Sequence, residues 1–330
     1  MAAHEIPPYR TGGRTGPWGK RPKKTVSRSH LPNILGKVDR GAFGRLILGH
    51  YGIELSEKEK SWFAFDGKEL KGSILPNDKR GEAVVLIVRH EDKQVYRTGF
   101  FNGSKDSEVT TARNMLEGAI LKQKLSMDPL HFKPDTLIPV HQAGGLFLAG
   151  LKGNQPELRA EMEFCSKQLS PCYRHEAKPE KGHGRIEQRA YSCFDVKGAY
   201  FDKRWDRAGF KTLVKVERQR FVCNRQTKSV QVSYFLSNMD VQNGQGAMEL
   251  FQAVRQHWQV ESANYDRDCI LKEDMLRCID QKANQTMALC RTLAIKLLHR
   301  SEIKNRCELM DMFADDFKAC LAFLKSINFL

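Results

Sequence analysis

Apolar residues between positions 62 and 153 recur with two different spacings, which predicts strands that alternate with helices. Apolar runs of strand length occur at five places: WFAFDG, EAVVLIVRH, QVYRTGFF, KLSMD and LFLAGLKG. The second and third runs are separated by the turn-like sequence EDK, so we expect them to form a hairpin. Helical spacing appears in SEVTTARNMLEGAIL and in DTLIPVHQAG. This alternation is typical of an α/β domain.

The pattern changes after residue 184, first to long strands and then to helices. Strict alternation in RIEQRAYSCFDV, KTLVKVERQRFVC and SVQVSYFLSNM predicts three long strands. From residue 243 the spacing is helical, and further helices are predicted at 278–299 and 304–327. The stretch AMELFQAVRQHWQVE places Met248, Phe251 and Trp258 on one helical face, so we expect Trp258 to pack in the core.

The first 61 residues differ from the rest in composition. Residues 1–28 carry seven Lys and Arg against the single acid Glu5, with Gly and Pro throughout, which predicts a basic disordered tail that adds nonspecific DNA affinity. Helical spacing begins at Leu31 and predicts a helix over 29–47. The expected organisation has five segments: tail 1–28, short helical region 29–61, first part of the core 62–184, β-rich insertion 185–240, and helical region 241–330 that completes the core.

Charge and composition narrow the class of partner. The net charge of +15 and the isoelectric point near 9.4 favour a polyanion, most often nucleic acid. No apolar run approaches the roughly 18 residues that a membrane span needs, and the first residues lack the apolar segment of a secretory signal. The nine cysteines are scattered without CxxC spacing, which fits reduced thiols. We therefore expect a cytoplasmic, nucleoid-associated protein without a membrane partner.

Two acids stand where predicted strands end. Asp66 follows WFAF and Asp128 follows KLSM, and parallel strands bring their carboxyl ends to one edge of a sheet. Carboxylate oxygens suit Mg²⁺, and a two-metal phosphoryl-transfer site needs a third acid, for which Glu261 in RQHWQVESANYDRD is the best candidate. Each acid alone also fits a turn, a cap or an exposed helix position, and spacing does not separate these interpretations.

Five stretches carry a resemblance to a known family. They are FAFDGKELKGS, LSMDPLHFKPDT, GGLFLAGLKGNQPEL, KGHGRIEQRAY and VRQHWQVE, in that order over about residues 29–300. In these stretches the chain resembles the DDE transposases of bacterial insertion sequences, specifically the H-repeat-associated type. KGNQ and HGRIE together are more specific than either motif alone.

The resemblance implies an RNase H-like catalytic core interrupted by a β-rich insertion. It implies Asp66, Asp128 and Glu261 as catalytic metal ligands for Mg²⁺, with Mn²⁺ as a substitute, and a homo-oligomer on paired DNA ends. Basic residues beside the motifs are candidate DNA contacts and are equally consistent with solvated surface charge: Lys68, Lys71, Lys152, His183, Arg185, Arg255, His257 and Arg267.

The leading hypothesis is a DNA transposase or transposase-derived recombinase that cuts and joins DNA. Only 65 residues precede Asp66, fewer than the family usually has, which motivates a domesticated metal-dependent nuclease without strand transfer as an alternative. A third hypothesis is a non-catalytic DNA-binding protein on a transposase scaffold.

Overall fold

The computed structural model describes residues 26–27, 29–74, 77–101 and 104–327. Nearly all of the predicted basic tail therefore lies outside the described residues. The described chain is a mixed α/β protein with one large sheet, so the expected fold class is confirmed at that level.

Ten strands form the sheet in the described residues. Their bounds are β1 Trp62–Glu69, β2 Ala83–Arg89, β3 Val95–Phe101, β4 Lys124–Met127, β5 Leu146–Leu151, β6 Tyr173–Glu176, β7 Glu180–Gly182, β8 Arg185–Asp195, β9 Thr212–Val222 and β10 Thr227–Ser237.

Helices surround the sheet. They are α1 Leu31–Leu35, α2 Arg40–Tyr51, α3 Lys105–Met115, α4 Pro134–Gln142, α5 Pro156–Gln168, α6 Gly244–Gln256, α7 Gln259–Cys269, α8 Gln281–Leu298, α9 Arg306–Asp315 and α10 Phe317–Ser326. None of the helices within the described parts of the chain is long and apolar enough to cross a membrane.

The strand order is β3-β2-β1-β4-β5-β10-β9-β8-β6, and β7 pairs with β8. The central strands β1, β4 and β5 run parallel, whereas every other neighbouring pair is antiparallel. The predicted hairpin is β2–β3. The three long strands of the β-rich block do not form a separate sheet, because β10 pairs with β5 and extends the central sheet.

Alternating side chains of the central strands face two helical layers. Phe63, Phe65 and Val85 are buried in the largest apolar cluster, which also holds Ala112 of α3 and Leu137 of α4. Side chains of the opposite face form a second cluster that includes Val260 and Ala263 of α7, and they are Ala64, Val84, Leu86 and Val88. In the outer part of the sheet, β8 and β9 pack against α6 through a third cluster.

Three helix predictions change in the structure, and one of them is the single helix expected over 304–327, which is α9 and α10. The helix expected over 29–47 is two helices, because the chain leaves α1 at Gly36 and restarts where the Asp39 side chain caps α2 by accepting from the backbone N–H of Ala42. The prediction that Trp258 packs in the core is wrong, since α6 ends at Gln256 and the Trp258 side chain is 57% exposed. The helical register that placed it on the apolar face does not continue through residue 258.

Candidate active site

Asp66 and Asp128 lie at neighbouring positions on the edge shared by β1 and β4. The parallel register pairs Ala64 with Ser126, so each acid lies two residues beyond a paired position on the same face. Asp66 does not end its strand as expected, because β1 continues to Glu69 and Asp66 pairs with Leu86 of β2. It lies instead where β1 loses β4 as its partner, which opens one side of the strand beside Asp128.

Glu261 reaches the same region from α7. It lies in the first turn of that helix, whose Val260 and Ala263 pack against the sheet face that carries Ala64. Strand alternation places Asp66 on that face too. The first turn of a helix favours a negative charge, so an acid at this position is compatible with the helix.

The acids influence one another electrostatically. The pKa of Asp66 is raised to about 7, mainly by burial and in addition by the carboxylates of Glu108, Asp128 and Glu261. Burial also raises the pKa of Glu261, while Lys152 opposes this shift. The structure therefore brings the three predicted acids into one negatively charged region, with the ammonium group of Lys152 nearby.

Glu108 is a fourth acid of this region, and sequence reasoning missed it. It lies on α3, which packs on the opposite sheet face, and it reaches the site beside Gly67. A Cβ atom at position 67 would lie 2.5 Å from Cδ of Glu108, so the glycine provides the space for this carboxyl group. The signal in the sequence was the glycine directly after Asp66, because a glycine inside a strand often marks a close approach.

The loop after Asp128 is held by the KGNQ motif. The side-chain amide of Asn154 donates to the carbonyl of Pro129, and Nε2 of Gln155 donates to the carbonyl of Phe132 at 3.1 Å. Asp128 itself accepts a 2.9 Å hydrogen bond from the backbone N–H of Leu130. The motif that carried part of the family resemblance thus restrains the loop that begins at the second acid.

Three histidines surround Asp128. His131 is fully buried, and its Nε2 atom lies 3.5 Å from Oε1 of Glu108 and 4.0 Å from Oδ1 of Asp128. On the other side, Oγ of Ser126 is hydrogen-bonded to Nε2 of His90 at 2.8 Å and to Nδ1 of His257 at 2.9 Å. Burial lowers the pKa of His257 to about 4 and that of His90 to about 3, so both rings are neutral near pH 7.

His257 is one of the predicted DNA contacts, and it faces inward toward Ser126. Two others, Lys68 and Arg267, are buried in ion pairs. Nζ of Lys68 lies 2.9 Å from Asp268 and 2.8 Å from Asp274, and Arg267 forms a bidentate pair with Glu273. These three side chains contact other parts of the protein rather than solvent.

The other predicted DNA contacts lie at the surface. Lys152 follows β5 and is exposed, and Lys71 is 70% exposed although it pairs with Asp274. His183 and Gly184 both have positive φ, 48° and 70°, and connect β7 to β8 in the manner of a type I′ hairpin turn. HGRIE therefore begins with a tight turn, and its His183 side chain is exposed.

The rest of HGRIE belongs to a group of arginines that we call the arginine face. It consists of Arg185, Glu187 and Arg189 on β8 and Arg218 and Arg220 on β9. The register pairs Glu187 with Arg220 and Arg189 with Arg218, so these side chains share one face of the sheet. Glu187 is 3.0 Å from Arg185 and 2.9 Å from Arg220, and it also pairs with Arg189.

The arginine face has four cations around one buried acid. Partial burial and the charge of Arg220 lower the pKa of Arg218, which reflects this local excess of positive charge. The same sheet face continues to Tyr191 and Val216, which pack against α6. Arg255 near the end of α6 contacts Glu180, which also pairs with Arg189. The arginine face therefore adjoins the end of α6 that leads to Glu261.

The carboxylates suit a divalent cation in their chemistry. Their hard oxygen donors are of the type that Mg²⁺ prefers, and after burial the charges of Glu108, Asp128 and Glu261 contribute to the raised pKa of Asp66. Across the described segments, no group of three His, Cys, Asp or Glu side chains is arranged so that it could hold a metal ion.

Comparisons with known proteins add no assignment: no protein-family model matches the chain, and no curated protein matches it.

Proposed function

We propose that this chain is a DNA transposase, or a recombinase derived from one, that cuts and joins DNA at the region of Asp66, Asp128 and Glu261. The observation that carries the proposal is that Asp66 lies within electrostatic range of both other acids at the edge of neighbouring parallel strands. An excess of carboxylates beside a basic surface suits phosphodiester chemistry, because metal ions bound there offset both the acids and the phosphates. An RNase H-like core is part of this proposal.

Asp66, Asp128 and Glu261 would hold Mg²⁺ or Mn²⁺. When bound, a pair of such ions supplies activation of the attacking oxygen and stabilisation of the leaving oxygen. In the first reaction water attacks phosphorus and the P–O3′ bond breaks, which leaves a 3′-OH and a 5′-phosphate. In the second, that 3′-OH attacks another phosphodiester and releases its 3′ oxygen as a hydroxyl, so the transfer needs no further reactant.

Residues of the chain position the substrate and the acids. Lys152 lies near Glu261 and is exposed, so it can bind a phosphate beside the reacting bond. The KGNQ side chains restrain the loop of Asp128. The rings of His90 and His257 are hydrogen-bonded to Ser126, two residues before Asp128. Both rings are neutral near pH 7, so they add no positive charge there.

The arginine face supports DNA as the substrate. Four guanidinium groups surround one acid on a sheet face that leads toward the helix bearing Glu261. Guanidinium groups recognise phosphates by paired hydrogen bonds. DNA that enters the carboxylate region is therefore expected to run across Arg218 and Arg220. Assembly as a homo-oligomer on paired DNA ends stays a prediction.

The test uses linear duplex DNA that carries the segments flanking the gene, incubated with the full chain and Mg²⁺ or Mn²⁺. We expect nicked and strand-transfer products, and a loss of at least about a hundredfold in Asp66→Asn, Asp128→Asn and Glu261→Gln, in line with the removal of a metal-binding group. Asp311→Asn, an exposed acid on α9, is the charge-matched control and should retain activity.

Other outcomes distinguish the alternatives. Products that persist at the wild-type level in Asp66→Asn would overturn the assignment. Metal-dependent nicking without joining would identify the domesticated nuclease. Salt-dependent binding without cleavage would identify the non-catalytic DNA-binding protein.

A further inference from the structure

A cavity of about 370 Å³ lies where the C-terminal ends of α2 and α8 meet the end of β2. Arg89, the last residue of β2, pairs with Phe63 near the start of β1, whereas Asp66 pairs with Leu86. Three residues of strand separate the two pairs, which is about 10 Å at the usual rise of a strand. The cavity is therefore separate from the carboxylate region and lies toward the opposite end of β1.

Cations outnumber acids in the lining of this cavity. The charged and titratable side chains that line it are Arg89, Lys296, Arg300, His50, His299 and Glu54. Glu54 is thus the one acid that the described residues contribute to the lining, and it is exposed. A polar cavity with an excess of positive charge favours an anionic ligand.

Lys296 is the most deeply buried of these cations, with 7% of the residue exposed. Its Nζ atom donates a 2.8 Å hydrogen bond to the backbone carbonyl of Tyr51, a neutral acceptor at the end of α2. In the described parts of the chain, no carboxylate lies within ion-pair distance of this Nζ atom. An ammonium group has three N–H donors, and a buried charge is ordinarily paired with an opposite charge. Lys296 therefore retains the capacity to bind an anion.

Two guanidinium groups lie close enough to Lys296 to act on its charge. The pKa of Lys296 is lowered to about 8, mainly by burial and in addition by Arg89 and Arg300, while Asp92 opposes the shift. Nε of Arg89 donates to Asp92 at 3.0 Å, so this guanidinium already has an acid as its partner. The guanidinium of Arg300 lies 4.9 Å from the centroid of the Tyr51 ring, and no acid of the described chain forms an ion pair with it.

We propose that this cavity is a binding site for a phosphate monoester group, held by Lys296 and Arg300. A guanidinium binds phosphate oxygens by paired hydrogen bonds, and an ammonium group binds them as a point charge. A phosphate monoester carries a charge of about −1.5 to −2 at pH 7, which offsets the two cations that lack an acid partner. The site is independent of the proposed function, because none of its residues belongs to the carboxylate region.

The dimensions of the cavity restrict the ligand further. A volume of about 370 Å³ exceeds that of a phosphate group alone and lies within the range of small-molecule sites, so part of the attached group also fits. A phosphodiester inside a duplex carries a single charge and is attached on both sides, which suits a cavity less well. The remaining sources of a monoester are a free nucleotide and the 5′-phosphate at the end of a DNA strand.

The experiment measures the binding of inorganic phosphate to the full chain by titration calorimetry at pH 7 and constant ionic strength. We expect a saturable site with a dissociation constant of about 1 mM or below. Lys296→Met removes the ammonium group and should weaken binding by about tenfold or more, in line with the loss of a charged hydrogen bond. Lys282→Met, the same substitution at an exposed position near the start of α8, is the matched control and should bind as wild type.

Arg300→Gln tests the second cation of the site. Arg300 is exposed, so its replacement leaves the core intact and decides the question even if Lys296→Met does not fold. We expect this variant to bind phosphate about tenfold more weakly than wild type.

Two further ligands distinguish the sources of the phosphate. Deoxyadenosine monophosphate is compared with deoxyadenosine, and a short single-stranded oligonucleotide with a 5′-phosphate is compared with the same strand ending in a 5′-hydroxyl. Binding that requires the phosphate and is weakened in Arg300→Gln supports the site for either ligand. Tighter binding of the nucleotide would assign a small-molecule ligand, and tighter binding of the oligonucleotide would assign a DNA end.

Three results would overturn the proposal. Absence of saturable binding up to about 10 mM phosphate would leave Lys296 with the structural role of binding the end of α2. Wild-type affinity in both Lys296→Met and Arg300→Gln would place the bound phosphate elsewhere on the protein. An equal loss of affinity in Lys282→Met would trace the effect to net charge.

Discussion

Asp66 and Lys68 lie two residues apart on one face of β1, yet their charges meet opposite surroundings. Around Asp66 the neighbours are acids, and with burial they raise its pKa to about 7. Around Lys68 burial works against the charge, but hydrogen bonds to Asp274 and Asp268 outweigh it and raise the pKa of the lysine. Asp66 is therefore surrounded by charges of its own sign, whereas Lys68 is paired with charges of the opposite sign.

The paired region extends beyond Lys68. Arg267 donates to both oxygens of Glu273 at 2.8 and 2.6 Å and to Thr292 at 2.8 Å, and both charged side chains are 1% exposed. Burial opposes the charge of Glu273, and Arg267 overcomes it and lowers its pKa. The comparison shows that the buried charges around Lys68 and Arg267 are stabilised by ion pairs with acids. Unpaired charge accumulates where we propose that a cation binds.

The largest expected effect comes from breaking the paired region. Arg267→Met leaves Glu273 buried without its main partner, and removal of one member of such a pair costs about 3–5 kcal/mol. The measurement is the free energy of unfolding in urea at pH 7. The double variant Arg267→Met, Glu273→Gln is the control, and it should recover part of the loss because no buried charge remains. A loss below about 1 kcal/mol in the single variant would contradict the view that the pair compensates Glu273.

The second largest effect concerns the stability of the protein when Asp66 is replaced. The pKa of Asp66 is raised from 3.8 to about 7, so folding favours the protonated carboxyl and stability falls as pH rises through that interval. Asp66→Asn removes this penalty. We expect the metal-free variant to be more stable than wild type by at most about 4 kcal/mol at pH 8, with a smaller difference at pH 5.

Unfolding in metal-free buffer at both pH values provides the measurement. Asp311→Asn, the same substitution at an exposed acid on α9, serves as a control. An Asp66→Asn difference that does not change with pH would show that burial and the neighbouring acids do not raise the pKa of Asp66.

The smallest effect concerns the arginine face, where charge is in excess with the opposite sign. Arg218→Gln should reduce the slope of log affinity against log salt on duplex DNA by about 0.9, the value for one phosphate contact. Stability should change by less than about 0.5 kcal/mol, because the side chain is partly exposed. Binding is measured in EDTA at several salt concentrations, and Lys167→Gln on α5 is the control. An unchanged slope would remove Arg218 from the DNA path.

Local pattern was sufficient for most elements. The alternation in β8, β9 and β10 and the hairpin of β2 and β3 were predicted because side-chain period and turn chemistry are short-range properties. The two aspartates were predicted as neighbours because parallel strands bring their ends together. Glu261 was the best candidate for a third acid on its predicted helix, the family resemblance implied it as well, and its charge acts on Asp66 in the structure.

Only the tertiary structure determined which charged side chains contact one another. From the sequence, Lys68 and Arg267 were candidates for DNA contact or for solvated surface charge. In the structure Lys68 pairs with an acid 206 positions away, and Arg267 is buried. The sequence analysis did not select Glu108, because its position beside Asp66 depends on the packing of α3 over a glycine in β1. The sequence also did not show that β10, in the β-rich segment 185–240, pairs with β5 of the central sheet. Periodicity determines which face a residue occupies, and the partner on that face is set by long-range packing, because Coulomb interactions depend on distance in space rather than along the chain.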